Sequence, residues 1–305
     1  MIAALAGGVG AAKFLTGLIR LVREEDLTVI ANTGDDIELF GLHISPDIDI
    51  VAYTLAGIVD EEKGWGIRGD TFQCLDMLKK HGSDTWFGLG DRDLATHIYR
   101  TNRLKQGFTL AQITTDVCQS LGLRVKILPM SNDKFETRVT TCNGSMHFEE
   151  YFVKRQCKDE VLGVEFVGAA TAKPSPGVLD SILDAELVIV CPSNPVVSIG
   201  TILEVEGVRD ALKRTKARVV GVSPIVAGLP IKGPADKMLR GLGLEVSAFG
   251  VAQLYADFLD TFVIDSKDAA AKSRIEKLGI NVKVTNTVMK SLDDKVSLAK
   301  TVLEN

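Results

Sequence analysis

The sequence predicts an α/β fold: a Rossmann-like, mainly parallel sheet with helices on both faces, carrying a mostly helical insertion and a β-hairpin. Three observations predict it. A short apolar strand, Ile2-Ala3-Ala4-Leu5-Ala6, runs into Gly7-Gly8-Val9-Gly10-Ala11-Ala12-Lys13, and an amphipathic helix follows at once. Continuous apolar runs such as Leu187-Val188-Ile189-Val190-Cys191, suited to burial on both faces of a sheet, recur among helical patterns in the second half. At 305 residues the chain exceeds the usual size of a single core, so one large α/β domain with an insertion, or two domains, is expected.

The elements follow in order. After the first strand, Phe14, Leu15, Leu18, Ile19 and Val22 form the apolar stripe of the first helix. Leu27 to Ala31 is the second strand, ending at Asn32. Residues 40–124 show little strand signal beyond Ile48-Asp49-Ile50-Val51. A helix capped by Asp70 ends at His81-Gly82, another covers Asp93 to Leu104, and a third runs from Thr109 to Leu121 and closes at Gly122. Strand signal resumes at Arg124 to Pro129. Asn143-Gly144 between the alternating runs 138–142 and 145–148 marks a hairpin. Val164 to Val167, Leu187 to Cys191, Arg218 to Val222, Phe262 to Ile264 and Asn281 to Thr285 are further strands. Helices are predicted near 177–185, 201–214, 234–241, 251–258, 267–278 and 287–303. The parallel sheet is thus split. Residues 1–39 and 125–305 form the nucleotide-binding core, and 40–124 form the insertion.

Composition narrows the class of function. Hydrophobic residues make up 46% and charged residues 25%, as in ordinary soluble proteins, and the net charge is −5. With no basic block or arginine stripe, nucleic acid is not expected as a primary partner. No apolar run reaches membrane-spanning length, the first strand leaves no room for a signal peptide, and five scattered cysteines include no C-x-x-C pair. A cytoplasmic protein without structural zinc is expected. The four histidines form no ligand set, and no G-x-S-x-G elbow occurs.

In open parallel sheets ligands bind beyond the carboxyl ends of the strands, where the strand order switches. Four predicted strand ends carry small, polar or charged residues. They are Gly7, Gly8 and Gly10 with Lys13; Asn32-Thr33-Gly34-Asp35-Asp36; Pro192-Ser193-Asn194-Pro195; and Ser223-Pro224, followed by Lys232-Gly233-Pro234. A glycine turn feeding a helix N-terminus suits phosphate, because the unpaired N–H groups and the helix dipole both face the anion. The loop is neither a Walker A motif, since Phe14 follows Lys13, nor a full dinucleotide fingerprint, since Lys13 holds the third glycine site. Asn32, where an acid would grip a ribose, counts against a nicotinamide cofactor.

Asp35 and Asp36 read either as a turn with a helix cap or as ligands of Mg²⁺, a hard cation that shares its positions with carboxylate and phosphate oxygens. Asp47 and Asp49 alternate, so in an extended segment they face one side, as a polar strand edge or as metal ligand and proton acceptor. Asp91-Arg92-Asp93 reads as a self-paired cap or a substrate contact. Ser193 and Asn194 read as caps or ligands, and Lys232 as a solvated lysine or an anion contact. Trp65 and Trp86, the two tryptophans, read as core or as stacking surfaces for a flat ring.

These ordered motifs resemble the CofD-like family. The resemblance is carried by the glycine loop, Asn32 to Asp36, Cys191-Pro192-Ser193-Asn194-Pro195 and Ser223-Pro224-Ile225-Val226. Four further segments are similar to its 2-phospho-L-lactate transferase branch: His43 to Asp49, Thr54-Leu55-Ala56-Gly57, Trp86 to His97, and Lys232 to Met238. The match spans about residues 1–265. It implies a Mg²⁺-dependent step in making the deazaflavin coenzyme F-420. The phospholactyl group, or its enolpyruvyl analogue, passes from a guanosine-diphosphate donor to a ribityl hydroxyl of the deazaflavin Fo, and GMP leaves. An archaeal character favours the lactyl donor, and a homodimer is implied.

By that resemblance, Gly7, Gly8 and Gly10 cradle the diphosphate with Lys13 nearby, and Asp35 and Asp36 hold Mg²⁺, Asp36 also counting as catalytic. Asp49 holds Fo or acts as base. Asp91 and Arg92 bind ligand from the insertion, and Arg92 meets a substrate carboxylate. Ser193, Asn194, Ser223 and Lys232 bind the nucleotide, while Trp65 and Trp86 line the deazaflavin pocket. One position departs from the pattern. A basic residue is expected between Phe87 and Leu89, where this chain has Gly88, and Arg92 is the candidate substitute. A regulatory protein of the same fold that binds a nucleotide sugar is the alternative function.

Overall fold

The computed structural model describes residues 1–304. Seven parallel strands form the central sheet: β1 (Ile2–Ala6), β2 (Leu27–Ala31), β3 (Lys126–Pro129), β4 (Leu187–Val190), β5 (Arg218–Val222), β6 (Thr261–Asp265) and β7 (Asn281–Thr285). Their spatial order is β7-β6-β5-β4-β1-β2-β3. The order therefore reverses between β1 and β4, which pair in register from Ile2 opposite Leu187 to Leu5 opposite Val190. Every residue of β2, β4 and β6 is buried, as expected of strands covered on both faces.

Each face has its own core. One gathers Leu5, Ile30, Val188, Met238, Tyr255 and Phe262. The other gathers Phe14, Leu15, Leu18, Val29, Val51 and Ile189, with Leu298 and Val302 from the terminal helix Leu292–Leu303. Helix α1 (Gly8–Leu18) lies between the sheet, that terminal helix and α2 (Pro46–Leu55). Helices α3 (Gln73–Lys80), α4 (Asp91–Lys105) and α5 (Leu110–Ser120) follow, and residues 40–124 contribute no strand to the central sheet. Thr109 caps α5 in a capping box with Gln112.

Five expectations need correction. Val22 lies beyond α1, which ends at Leu18. Ile48 to Val51 is helical, not extended: Pro46 sits in the first turn of α2, where its fixed φ suits a helix start, and the apolar run is buried on several sides. Gly163–Val167 pairs with the hairpin strand Glu136–Thr141 in a separate three-stranded antiparallel sheet rather than joining the parallel one. The helix expected over 201–214 is two, Ile199–Glu204 and Val208–Arg214, separated by extended Val205 and by Gly207 at φ +81°. Asp70 caps α4 rather than the helix that follows it in sequence, as described below. A small hairpin, Ile37–Leu39 with Leu42–Ile44, was not legible in the sequence.

Candidate functional site

The switch in strand order opens a crevice between the ends of β1 and β4, and the glycine turn sits in it. Gly7 is extended, and its N–H donates to Ser193 Oγ (3.2 Å) across the crevice. Gly8 adopts φ +69°, a conformation that favours glycine. At Gly7 and Gly10 the reason for glycine is crowding. A Cβ on Gly7 would lie 2.6 Å from Ser198 Cβ and 2.7 Å from Asp47 Oδ2, and one on Gly10 would run into the Pro192 carbonyl oxygen. The helix therefore starts as close to β4 and to Asp47 as backbone allows.

Asn32, at the end of β2, organises the acidic side. Its fully buried amide donates from Nδ2 to Asp47 Oδ2 (2.9 Å), Asp35 Oδ2 (3.1 Å) and the Val197 carbonyl (3.3 Å). Its Oδ1 accepts from Gly34 N (2.8 Å) and Thr201 Oγ1 (2.7 Å). Asp36 Oδ2 accepts from Ser45 Oγ (2.7 Å) and faces His43 Nε2 (2.9 Å). The hairpin sheet closes over this turn. Thr137 N donates to the Gly34 carbonyl (2.7 Å), and His147 Nε2 meets the Asp36 carbonyl oxygen (3.1 Å). Because His147 Nδ1 accepts from Glu149 N (3.0 Å), Nε2 carries the ring proton, and burial holds this histidine below its ordinary pKa.

The hairpin also delivers Glu149, 6% exposed, to the same cluster. Burial, then the charges of Asp47 and Asp36, push Glu149 up to about 8. Burial raises Asp47 to about 7 against the opposing hydrogen bond from Asn32. Asp35 lies well above the usual carboxylate range through burial and its neighbours Asp47 and Glu149. Asp35 Oδ1 and Asp36 Oδ1 are buried without a hydrogen-bond partner. Among the described residues no lysine or arginine pairs with Asp35, Asp36, Asp47 or Glu149. Four carboxylates converging without a matching cation are poised for a positively charged ligand.

The other strand ends differ among themselves. Asn194 Oδ1 is engaged by Val196 N and Val197 N, but its buried Nδ2 has no partner. Ser193 is occupied by Gly7. Ser223 is fully buried, and its hydroxyl closes its own turn, accepting from Ile225 N (3.2 Å) and donating to the Ile225 carbonyl (2.9 Å). Lys13 and Lys232 form no ion pair among the described residues, and desolvation together with the Lys13 charge lowers the Lys232 pKa. Lys232 Nζ lies 2.6 Å from where a Cβ on Gly64 would be, so the insertion reaches this end of the crevice.

The helical conformation of 46–55 separates Asp47 from Asp49, which an extended segment would have aligned. Asp47 faces the glycine turn, while Asp49 points between α2 and α4. There Arg100, 1% exposed, grips both Asp49 oxygens, with Nη1 donating to Oδ2 at 3.0 Å and Nη2 to Oδ1. Burial works against the guanidinium charge, and Asp49 overrides it. Arg100 Nη1 also meets His97 Nδ1 (3.2 Å), His97 Nε2 faces Asp93 Oδ1 (3.3 Å), and Tyr53 donates to Asp93 Oδ1 (2.9 Å). Donor atoms of Asp49, Asp93 and His97 lie within 4.8 Å of one another, but Arg100 already supplies the positive charge.

Asp91 and Asp70 exchange helix ends. Asp91 accepts from Gln73 N and Cys74 N (both 3.0 Å) at the start of α3, and Asp70 accepts from Arg92 N (2.9 Å) and Asp93 N (3.1 Å) at the start of α4. The exposed Arg92 side chain forms no ion pair among the described residues.

The structure thus groups Gly7, Gly8, Gly10, Asp35, Asp36 and Ser193 around one crevice, adds Asn32, Asp47 and Glu149, and places Asp49 and Asp91 in networks of their own. In the sequence Asn32 belongs to the strand-end motif and stands where a ribose acid is missing, but nothing there marks it as the amide that joins Asp35 to Asp47. Glu149, beyond the Asn143-Gly144 turn, had no signal beyond being an acid after a strand.

The sequence profile of the family described as 2-phospho-L-lactate transferase CofD matches residues 2–301. A phosphoenolpyruvate transferase of Streptomyces griseus is 45% identical over 309 residues, covering 99% of this chain and 97% of its own. A 2-phospho-L-lactate transferase of Methanothermobacter thermautotrophicus is 43% identical over 303 residues, covering 99% and 97%. Among solved structures, a member of the UPF0052 family from Bacillus halodurans superimposes with a TM-score of 0.68 at 15% identity, covering 99% of this chain and 98% of that one.

Proposed function

This chain belongs to the CofD family of 2-phospho-L-lactate transferases, and we propose that it transfers a phospholactyl or phosphoenolpyruvyl group from a guanosine-diphosphate-linked donor to the ribityl hydroxyl of Fo, releasing GMP. The observation that carries this reading is the crevice itself. A glycine turn opening a helix lies opposite three buried carboxylates and the partly buried Asp36, none paired with a lysine or arginine among the described residues, and Lys13 and Lys232 stand without ion pairs at one end.

In this reaction the ribityl oxygen attacks the phosphorus bearing the acid ester. A new P–O bond forms, the bond to the bridging oxygen breaks, the hydroxyl proton goes to a carboxylate, and GMP departs with the electron pair. Such transfers depend mainly on positioning and charge stabilisation. The N–H groups of the first turn of α1 meet the diphosphate, Lys13 and Lys232 offset its charge, and the free Asn194 Nδ2 donates to the nucleotide side. Asp47 is the carboxylate beside the glycine turn, so it replaces Asp49 as the proposed proton acceptor. Asp49, clamped by Arg100, supports the acceptor side from beneath, and Arg92 is free to meet a substrate carboxylate.

A divalent cation fits this donor set, because Asp35 Oδ1 and Asp36 Oδ1 are buried and unpartnered and the surrounding carboxylates lack positive charge. Asp35 and Asp36 would hold Mg²⁺, which when bound neutralises charge on the diphosphate and the leaving group. Among the described residues no helix is long and apolar enough to cross a membrane. A cytoplasmic homodimer is the proposed working form, and light scattering on the purified protein checks the dimer.

The deciding experiment titrates Fo and GDP with and without Mg²⁺, then measures turnover with the lactyl and enolpyruvyl donors by mass spectrometry. Mg²⁺-dependent GMP release with a phosphorylated deazaflavin product is the expected result, and the faster donor identifies the acid. A chain that binds a UDP-sugar but neither Fo nor GDP is instead a nucleotide-sugar-binding regulator.

A further inference from the structure

The loop between α2 and α3 is a closed unit. Val59 and Ile67 form an antiparallel bridge, Arg68 N donates to the Ile58 carbonyl (2.8 Å), and Gly64 N donates to the Asp60 carbonyl (2.8 Å). The Asp60 carboxylate accepts from Glu62 N and Lys63 N, both at 3.1 Å. Asp70 ties the far end of the loop to the start of α4. A loop pinned in this way presents its tip as a rigid feature.

Two neighbouring residues of that tip touch two different parts of the molecule. At Gly64, a Cβ would lie 2.6 Å from Lys232 Nζ and 4.0 Å from Val9 Cγ1, so the tip forms a wall of the glycine-turn crevice. Trp65 turns toward the insertion. Its ring atoms Cη2 and Cζ3 lie 2.5 and 3.0 Å from where a Cβ on Gly88 would be, and Phe72 meets the ring edge-on at 6.2 Å and 70°. Gly88 does not have positive φ, so its lack of a side chain is explained by the indole and not by backbone strain. Even so, Trp65 is 42% exposed. A tryptophan kept for core packing would bury its surface. This one has a seat carved for it and leaves aromatic surface to solvent beside the crevice.

We propose that Trp65, seated by Gly88, is the residue that positions the flat deazaflavin ring and so sets acceptor specificity. This rests on the transferase reading above. An acceptor whose ribityl hydroxyl must reach phosphorus at the glycine turn passes the Gly64–Trp65 tip, and a tricyclic ring gains most from stacking on an exposed, immobilised indole. A phenyl ring and a lysine ammonium flank both indoles, Phe72 and Lys63 at Trp65 and Phe87 and Lys154 at Trp86, but Trp86 is the weaker candidate because it is partly buried where Trp65 is exposed.

The test compares Trp65→Ala, Trp65→Phe and Gly88→Ala with the unaltered protein. Fo affinity is read from the intrinsic fluorescence of Fo, GDP affinity from calorimetry, and folding from circular dichroism. Trp65→Ala and Gly88→Ala are expected to weaken Fo about ten-fold or more while GDP affinity stays within about two-fold, with Trp65→Phe in between. In turnover, KM for the acceptor rises and kcat changes little. Should Gly88→Ala fail to fold, the half-exposed Trp65 variants carry the test alone. Unchanged Fo affinity in Trp65→Ala, or GDP affinity falling in step with it, overturns the proposal. An unaltered protein that binds neither Fo nor GDP overturns the transferase reading as well.

Discussion

Asp47 and Asp49 stand two residues apart on α2 and are almost equally buried, yet their surroundings are opposite. Asp49 is matched: Arg100 holds both its oxygens, and His97, Asp93 and Tyr53 complete a network between α2 and α4. Asp47 is unmatched. It shares the amide of Asn32 with Asp35, has Glu149 and Asp36 nearby, and meets no lysine or arginine. Burying a charge is costly unless it is paired. A matched pair therefore reads as architecture, and an unmatched cluster reads as a site whose missing charge arrives with a ligand. Sequence distance and burial alone do not separate the two aspartates, but their partners do.

The sharpest way to break this comparison is to neutralise each aspartate in turn. Asp47→Asn should lower turnover by about 100-fold or more, the usual reach of acid–base and charge effects, with the melting temperature unchanged or raised above pH 7. If Asp47→Asn keeps full activity, Asp47 has no chemical role. Asp49→Ala should act mainly on stability, costing about 3–5 kcal/mol in denaturant unfolding because Arg100 is left buried and unpaired. The double variant Asp49→Leu/Arg100→Met should recover most of that loss. A double variant as unstable as the single one would contradict the matched-pair reading.

A pH series sharpens the same contrast. Asp35, Asp47 and Glu149 have raised pKa values when folded, the latter two near 7 and 8, so between about pH 4 and 8 the folded state holds protons that the unfolded state has released. Their contribution to stability is fully present below the unfolded carboxylate range and is lost as pH rises through the folded values. In chelator, the melting temperature should therefore fall by a few degrees from pH 5 to pH 9, and Mg²⁺ should restore most at the alkaline end. A flat profile, or a Mg²⁺ effect independent of pH, would argue against an unmatched cluster. The smallest effect is expected at the exchanged helix caps. Asp91→Ala should lower the melting temperature by about 1–3 °C and expose α3 to protease first, with little loss of GDP binding.

Much of the core was legible because its signals are local. A strand buried on both faces is a run of apolar residues wherever it sits, and β2, β5 and β7 coincide with their predicted ranges. Capping residues and terminal glycines reveal helix ends, as Thr109 and Gly122 did for α5. Ile48 to Val51 misled because a short apolar run fits strand and helix alike. Pro46 just before it was the overlooked cue, and the error aligned two aspartates that the helix sends apart. Asp70 and Asp91 misled for another reason. Each sits where it could cap the next helix in sequence, yet each caps the other's, 20 or so residues away.

The sequence by itself determined the strands of the central sheet, the glycine turn at the head of α1 and most of the small and acidic residues at the strand ends, since each follows from composition and periodicity over a few residues. Tertiary structure alone decided which of those residues share a crevice. Asn32 joins Asp35 to Asp47, the hairpin brings Glu149 from more than 100 residues away, and Arg100 claims Asp49. The reason is physical: whether a buried carboxylate is matched depends on charges within a few ångströms in space, and those come from segments far apart in the chain.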